Sequence, residues 1–229
     1  MGRHGRRGNF MYDYIQDKEF LKRAQSTCSE ILSDLTDELF ERDISAQFFL
    51  VGSGGRNMVT QNARNPIDFD YNLNIQKCDD FDDCRAIKET VRKAFNKVLN
   101  AHSLAACEDS TSSLTSKRIC FNDEPNIEFT IDLCIVTEDT DGFWHRLIHQ
   151  KTGYTANDAY FWNKAPNSKD VKAKSDRIKK SGNWLSVRDE YLKLKNNYLR
   201  RNDHNHPSFI CYIEAVNNVY NSLKQKRMI

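Results

Sequence analysis

The chain has 229 residues, of which 39% are hydrophobic and 29% charged, and its formal net charge is +2. This composition is typical of a globular protein with one sizeable domain, or with a domain of roughly 150 residues and a smaller appended one, and it excludes disorder throughout. No stretch approaches about 18 consecutive apolar residues, and the basic N-terminus lacks the apolar run of a secretory signal, so we expect a cytoplasmic protein without a membrane partner. The 7 cysteines include no CxxC pair, which argues against a disulfide framework and a zinc ribbon.

The first half of the chain alternates helical and extended patterns. Apolar residues three and four apart predict amphipathic helices over 17–43 and 80–101, the second with Asp79 and Asp80 at its N-terminus. An apolar run over 47–51 predicts a buried strand that ends in the glycine turn Gly52-Ser53-Gly54-Gly55. Residues 67–75 alternate between apolar and polar, which predicts a strand with Asp68 and Asp70 on one face.

The second half predicts more strands and then helices. The predicted elements are a strand over 114–121, an alternating strand over 127–136, a turn at 139–142 with a returning strand over 143–148, a basic and partly helical connection over 163–183, a helix over 183–201, and a last helix with Pro207 as its first residue. We therefore expect an α/β (α+β) fold, with a small mixed sheet flanked by helices and a C-terminal helical region.

Three acids on alternating strands predict a metal site. Asp68 and Asp70 point the same way about 6.5 to 7 Å apart along the strand, and Asp132 lies in the apolar context Ile131-Asp132-Leu133 of a second strand. Carboxylates among aliphatic neighbours are costly to bury unless they are paired or bind a metal, and Mg²⁺ prefers such oxygen ligands. Glu128, on the same predicted face as Asp132, is the rival for the third position.

In order and spacing, Gly52-Ser53, Asp68-Phe69-Asp70 and Ile131-Asp132-Leu133 resemble the motifs of the polymerase-beta-like nucleotidyltransferase superfamily. The resemblance covers roughly residues 45–150 and departs from the pattern at Gly54-Gly55-Arg56-Asn57. It implies that Asp68, Asp70 and Asp132 hold two Mg²⁺ ions, with Mn²⁺ as a substitute, and that Asp132 also helps to deprotonate an acceptor hydroxyl. It further implies that Gly52 and Ser53 bind the phosphates of a nucleoside triphosphate.

With this resemblance, the expected organisation is a flexible basic N-terminus (1–16), a nucleotidyltransferase catalytic core (17–162) and a basic linker with a C-terminal helical region (163–229). Residues 164–201 carry 12 Lys and Arg against 4 Asp and Glu. This segment either draws phosphates or nucleic acid toward the protein or forms a solvated helix face.

Several side chains have both a functional and a structural interpretation. Arg56 either clamps a phosphate or belongs to a surface turn, and Lys193 and Lys195 either reach the triphosphate or face water. We expect structural roles for His145 and His149, and a polar loop for residues 204–206. The aromatic run 160–162 either stacks on a base or packs internally.

The leading hypothesis is a two-metal-ion enzyme that transfers a nucleoside monophosphate from a nucleoside triphosphate to a hydroxyl or similar acceptor, with release of pyrophosphate. The acceptor substrate and the base of the triphosphate are not identified by the sequence. The alternative is a non-catalytic binding module of the same fold, either an antitoxin-like partner or a nucleic-acid adaptor that uses residues 164–201. A metal-dependent phosphohydrolase ranks last because no histidine accompanies the acids.

Overall fold

The structure, a computed structural model, describes residues 11–166, 169–203 and 207–229. In chain order the strands are β1 (Tyr12–Tyr14), β2 (Ser45–Leu50), β3 (Thr60–Asn62), β4 (Ile67–Lys77), β5 (Glu108–Asp109), β6 (Leu114–Thr115), β7 (Ile119–Phe121), β8 (Glu124–Glu138), β9 (Trp144–Gln150) and β10 (Ala159–Lys164). The helices are α1 (Lys18–Phe40), α2 (Gly52–Gly55), α3 (Cys84–Ala101), α4 (Lys169–Lys180), α5 (Trp184–Arg200) and α6 (Ser208–Gln225), with a 3₁₀ turn at Thr155–Asn157.

The chain divides into two units. The sheet unit comprises residues 16–57 and 66–166, and the helical unit comprises residues 11–15, 58–65 and the described residues from 169 onward. The helical unit thus takes in two early segments that the sequence analysis assigned to the N-terminus and to the core. The basic residues before 11 and the loop at 204–206 lie outside the described residues. None of the described helices combines the length and the apolar character needed to cross a membrane.

The sheet unit is built on a mixed sheet in the order β10-β9-β8-β4-β2, with β4 and β8 parallel and the other neighbouring pairs antiparallel. On β4 the apolar residues from Ile67 to Ile75 are buried, and the polar residues between them are exposed or half-buried, as the alternation predicts. The predicted fold class, a mixed sheet flanked by helices with a helical C-terminal region, is confirmed.

Helix α1 covers the apolar face of this sheet. Its N-cap is Asp17, whose carboxylate accepts a hydrogen bond from the backbone N–H of Phe20 at 2.9 Å. The ring of Phe20 packs edge-on against Phe129 of β8, with centroids 6.2 Å apart. Because Phe129 is odd-numbered on an alternating strand, α1 lies on the face opposite Asp132.

The predicted start of α3 is wrong by several residues. The helix begins at Cys84, and its N-cap is Asp83, whose carboxylate accepts from the N–H of Ala86 at 2.9 Å. Asp80 instead accepts from the N–H of Asp82 at 2.8 Å, which forms a turn before the helix. Asp79, Asp80, Asp82 and Asp83 are equally suited to capping by type, so local sequence does not select among them.

Two strand predictions also need correction. The predicted strand over 114–121 is two short strands, β6 and β7. Between them the N–H of Ser116 donates to the carbonyl of Ile131 at 2.9 Å, but the N–H of Ile131 donates to the Ser116 hydroxyl at 2.9 Å and not to a backbone carbonyl, which interrupts the regular pairing. Residues 159–164, placed partly in the basic connection, form the edge strand β10 against β9. The β8–β9 hairpin around Asp139–Gly142 is confirmed, with Gly142 at φ +76°.

In the helical unit, α4, α5 and α6 pack around a buried cluster that includes Val187, Tyr191 and Val216. Pro207 is the N-cap of α6 rather than its first helical residue. The sequence analysis missed the antiparallel pair of β1 and β3. Buried Asn196 of α5 accepts from the backbone N–H of Tyr12 at 2.7 Å and donates to its carbonyl at 3.0 Å, which attaches β1 to the helix.

Candidate active site

The parallel pairing of β4 with β8 brings two of the predicted acids side by side. In the register of this pair Asp70 lies opposite Asp132, and Asp68 lies opposite Thr130. Paired residues of neighbouring strands share a face and lie about 4.8 Å apart across the ladder. Asp68, Asp70 and Asp132 therefore occupy one polar face of the sheet, which we call the acid face.

Glu128 does not compete for the position beside Asp70. The first residue of β4, Ile67, pairs with Phe129, so Glu128 precedes the part of β8 that pairs with β4 and has no partner on that strand. Its carboxylate accepts a hydrogen bond from Arg118 at 3.0 Å. The structure therefore places Asp132, and not Glu128, next to Asp70.

Two threonine hydroxyls that the sequence analysis did not assign to the site hold the outer acids. Thr130 donates to Oδ1 of Asp68 at 2.7 Å, and Thr115 of β6 donates to Oδ1 of Asp132 at 2.7 Å. Thr130 is recognisable in the sequence because it precedes Asp132 by two residues on an alternating strand. Thr115 is not, because its contact depends on the pairing of β6 with β8.

The glycine turn after β2 lies directly against Asp70. Gly52 has φ +59°, and a Cβ built on it would lie 1.8 Å from Oδ2 of Asp70. The backbone N–H of Val51 donates to the carbonyl of Asp70 at 2.8 Å, and the backbone N–H of Ser53 acts on its carboxyl group and lowers the pKa. Position 52 therefore requires glycine for both its backbone conformation and its space.

Arg56 ends the glycine turn. Its Nη1 donates to the carbonyl of Gly52 at 2.6 Å, so part of its guanidinium stabilises the turn. Its charge also acts on Asp70 and lowers the pKa of that carboxyl. The structure thus gives Arg56 the turn contact, and its predicted contact with a phosphate stays a prediction.

Asp70 has a carboxyl group whose pKa is raised. Burial, followed by the negative charges of Asp132 and Asp68, raises its pKa from 3.8 to about 6, although Arg56 and the N–H of Ser53 act in the opposite direction. A cation on the acid face would offset this repulsion.

The donor set fits a hard divalent cation in chemical type. In the described parts of the chain no three His, Cys, Asp or Glu side chains are gathered closely enough to hold a metal ion. Each threonine, however, occupies only Oδ1 of Asp68 or Asp132, which leaves Oδ2 of each for another contact. Carboxylate oxygens are the ligands that Mg²⁺ prefers, so the oxygens of the acid face suit this ion in type.

We expect Asp70→Asn to stabilise the metal-free protein at alkaline pH. Because the folded-state pKa is raised, the folded state binds the proton more tightly, and the free energy of unfolding falls as pH rises from about 4 through about 6. The variant should therefore gain about 1 to 3 kcal/mol at pH 8 and lose this gain near pH 4. Urea denaturation in a chelating buffer at both pH values measures the difference.

The control for this prediction is Asp123→Asn. Asp123 is exposed, and a hydrogen bond from Arg23 holds its pKa below the ordinary value, so its replacement should bring no gain at alkaline pH. A gain for Asp70→Asn that is absent, or that is equal at both pH values, would contradict the assigned electrostatics.

The two lysines proposed for the triphosphate make contacts inside the helical unit. Lys193 forms an ion pair with Glu190 of the same helix at 3.1 Å. Lys195 donates to the hydroxyl of Thr60 at 2.9 Å and lies 3.9 Å from the ring centroid of Tyr12. A nucleotide-binding role for Lys193 stays a prediction.

Both histidines make structural contacts. His145 contacts Asp139 at 2.9 Å, while His149 contacts Asp109 at 2.8 Å and Asp158 at 2.9 Å. In the aromatic run 160–162, Tyr160 stacks on His149, and Trp162 donates to the carbonyl of Phe81 at 2.7 Å. Phe161 is 40% exposed.

One cation that the sequence analysis did not single out shares the acid face. Arg146 of β9 pairs with Val136, an even-numbered residue of β8 like Asp132, so both project from the same side of the sheet. Its charge acts on Cys134, as do those of Asp132 and Asp70. Within the described residues the side chain of Arg146 makes no hydrogen bond or ion pair. In the sequence, only its place in the alternating pattern of β9 could have indicated that it lies on the acid face.

Comparison with solved structures identifies the fold. CdnC of E. coli MS115-1, solved with ATP, matches at a TM-score of 0.54 and 13% identity, over 91% of this chain and 62% of that one. The CdnE cyclic dinucleotide synthase of Elizabethkingia meningoseptica, solved with GTP and Apcpp, matches at 0.51 and 14%, over 86% of this chain and 69% of that one.

CdnG of Bradyrhizobium diazoefficiens, a CD-NTase in complex with GTP, matches at a TM-score of 0.47 and 13% identity, over 69% of this chain and 42% of that one. The chain thus spans less than two thirds of the CdnG and CdnC structures. No protein-family model matches the chain, and no curated protein does.

The neighbours are CD-NTases, members of the polymerase-beta-like nucleotidyltransferase superfamily. The chain therefore has the fold of this superfamily, as the resemblance carried by Gly52-Ser53, Asp68, Asp70 and Asp132 implies.

Proposed function

We propose that the protein is a Mg²⁺-dependent nucleotidyltransferase. It transfers a nucleoside monophosphate from a nucleoside triphosphate to a hydroxyl acceptor and releases pyrophosphate. The observation that carries this proposal is the pairing of Asp70 with Asp132 across parallel strands, with the glycine turn packed against Asp70.

Asp68, Asp70 and Asp132 would hold the two metal ions, for which Mn²⁺ is a substitute. When bound, these ions supply positive charge to the attacking and leaving oxygens of the transferred phosphoryl group. The hydroxyls of Thr115 and Thr130 keep the outer acids oriented on the acid face.

The glycine turn and Arg146 favour an anionic substrate on this face. The Ser53 hydroxyl makes no hydrogen bond within the described residues and is available to a phosphate oxygen. Arg146 adds an exposed guanidinium, whose planar fork suits a phosphate. In the reaction, the acceptor oxygen forms a bond to the α-phosphorus while the bond to pyrophosphate breaks. Asp132 takes the proton of the acceptor hydroxyl, directly or through water.

The acceptor that we propose first is the hydroxyl of a second nucleotide. The support is the likeness to CdnE, a cyclic dinucleotide synthase solved with GTP and Apcpp. The likeness to CdnC, which was solved with ATP, supports nucleoside triphosphates as donors.

The test incubates the protein with Mg²⁺ and each α-phosphate-labelled nucleoside triphosphate, alone and in pairs. We expect release of pyrophosphate and a labelled product, and calorimetry should show nucleotide binding. The Asp68→Ala, Asp70→Ala double variant serves as control and should form no product. The proposal fails if no nucleoside triphosphate binds, or if the double variant is indistinguishable from the wild type.

The nucleic-acid adaptor alternative depends on the basic segment 164–201. Several of its cations already make contacts within the helical unit. Lys172 pairs with Asp176, Lys174 pairs with Asp170, and Lys179 lies 4.5 Å from the ring centroid of Trp184. RNA binding with a steep salt dependence and no nucleotide turnover would favour the adaptor over the enzyme.

A further inference from the structure

A second polar site lies on the face of the sheet opposite the acids. Asp109 of β5 pairs with Leu114, which also pairs with Leu133 of β8, and paired residues share a face. Leu133 is odd-numbered on β8 and buried on the face covered by α1, so Asp109 projects to that side. His149 projects to the same side because it alternates with buried Leu147.

Asp109 and His149 line a cavity of about 590 Å³, which is within the range of small-molecule sites. The cavity lies entirely in the sheet unit and opens between α3, the ends of β9 and β10, and the loop that joins these two strands. The other lining residues are Arg85, Glu89, Arg92, Cys107, Lys151, Gly153, Thr155, Asp158 and Tyr160.

Two lysines and the ring of His149 surround the single carboxylate of Asp109. Lys88 is only 1% exposed, and its Nζ lies 2.8 Å from Asp109 Oδ1. The ring of His149 contacts Oδ2 at 2.8 Å, and Nζ of Lys151 lies 3.7 Å from the same oxygen. One carboxylate does not neutralise two lysines.

Both ring nitrogens of His149 already face carboxylates of the protein. Its Nδ1 faces Asp109 and its Nε2 faces Asp158, at 2.8 and 2.9 Å. Burial raises the pKa of Asp109, but the contacts with Lys88 and His149 outweigh it and hold this pKa below its ordinary value. Hydrogen bonds from Thr152 and His149 likewise lower the pKa of Asp158.

Two arginines add to the excess of positive charge around the cavity. Arg92 uses Nε and Nη2 to bind Glu89, and its Nη1 makes no hydrogen bond within the described residues. Arg85 donates to the carbonyl oxygens of Thr155 and Asp158, which leaves its charge uncompensated. In total, the four cations Arg85, Lys88, Arg92 and Lys151 stand against the three anions Glu89, Asp109 and Asp158.

We propose that this cavity binds a small polyanion that carries phosphate or carboxylate groups. Arg92 and Lys151 lie at the cavity wall and make the contacts to the anion. A metal ion does not suit the cavity, because each ring nitrogen of His149 faces a different carboxylate. The site is separate from the acid face, because it lies on the opposite side of the sheet.

The test titrates inorganic pyrophosphate into the full chain in a chelating buffer, with calorimetry as the readout. Losing one charge-assisted contact through Arg92→Gln or Lys151→Gln should weaken binding by about tenfold or more. Lys97→Gln is the matched control, because Lys97 is on the same helix α3 but pairs with Glu38 away from the cavity.

Citrate and ATP, titrated separately, identify the recognised group as a carboxylate, a phosphate or a nucleotide. Binding of any of these anions with one site per chain, weakened by the cavity variants and not by Lys97→Gln, supports the proposal. It is overturned if none of the anions binds, or if all three lysine and arginine variants weaken binding equally. Thermal unfolding of each variant shows that the fold is intact, and exposed Lys151 provides a second variant if Arg92→Gln does not fold.

Discussion

Asp132→Asn is expected to lower the rate of the proposed nucleotidyl transfer by about a thousandfold or more, because it removes one of the negative charges that we propose to hold the metal ions. The structure places this carboxylate opposite Asp70 in the parallel register of β4 and β8. Asn retains the shape of the side chain and accepts the hydrogen bond from Thr115, so the fold should persist. Steady-state release of pyrophosphate with saturating nucleotide measures the effect.

Glu128→Gln is the matched control for Asp132→Asn. Both residues project from the same side of β8. Glu128, however, has no partner on β4 and forms an ion pair with Arg118. An ion pair at the surface contributes little to stability, and Glu128 is not beside Asp70, so the rate should change by less than about threefold. Equal losses of rate in the two variants would show that the register of β4 and β8 does not decide which acid acts with Asp68 and Asp70. A larger loss in Glu128→Gln would assign that role to Glu128 and not to Asp132.

The second large effect is expected for Gly52→Ala. The new Cβ would approach Oδ2 of Asp70 to 1.8 Å, and φ at this position is +59°. Both the backbone strain and the clash oppose the native conformation, so we expect the free energy of unfolding to fall by about 2 to 4 kcal/mol. We also expect nucleotide affinity to fall, since the turn must shift away from the acid face. Urea denaturation and calorimetry measure the two effects.

Gly182→Ala is the control that separates the cost of backbone strain from the cost of the steric clash. Gly182 has φ +75°, but a Cβ there would meet no atom within 4 Å, so only the backbone strain of about 1 kcal/mol applies. The excess cost of Gly52→Ala should be partly recovered in the Gly52→Ala, Asp70→Ala double variant, because truncating Asp70 removes the contacts of 1.8 Å with Oδ2 and 2.6 Å with Cγ and leaves only the one of 2.9 Å with Cβ. If Gly52→Ala costs no more than Gly182→Ala, the close packing of the turn against Asp70 is refuted.

Local patterns predict the elements that carry the acids. Strict alternation over 67–75 and 127–136 indicates two strands with polar faces, and both are found. This prediction succeeds because a strand with one buried face requires period-two alternation, whatever its partners are. The helices α1, α3, α5 and α6 are predicted for the equivalent reason, namely an apolar stripe at helical spacing.

Elements that depend on distant partners were missed. The three-residue strand β1 pairs with β3, about 48 positions away, and is held by Asn196 of α5. β10 is an edge strand whose residues have no clear alternation and gain their hydrogen bonds from β9. Neither has a local signal, because short strands obtain their stability from the neighbour and not from their own sequence.

The sequence by itself determined which residue types lie on the acid face and which glycine turn precedes them. Alternation fixes the side of a strand from which a residue projects, and that information is local. Only the tertiary structure decided that Asp132 rather than Glu128 stands beside Asp70, that Thr115 and Thr130 hold the outer acids, and that Asp109 and His149 meet across the opposite face. These facts depend on the register between strands that are far apart in the chain, and many registers are compatible with the same alternation.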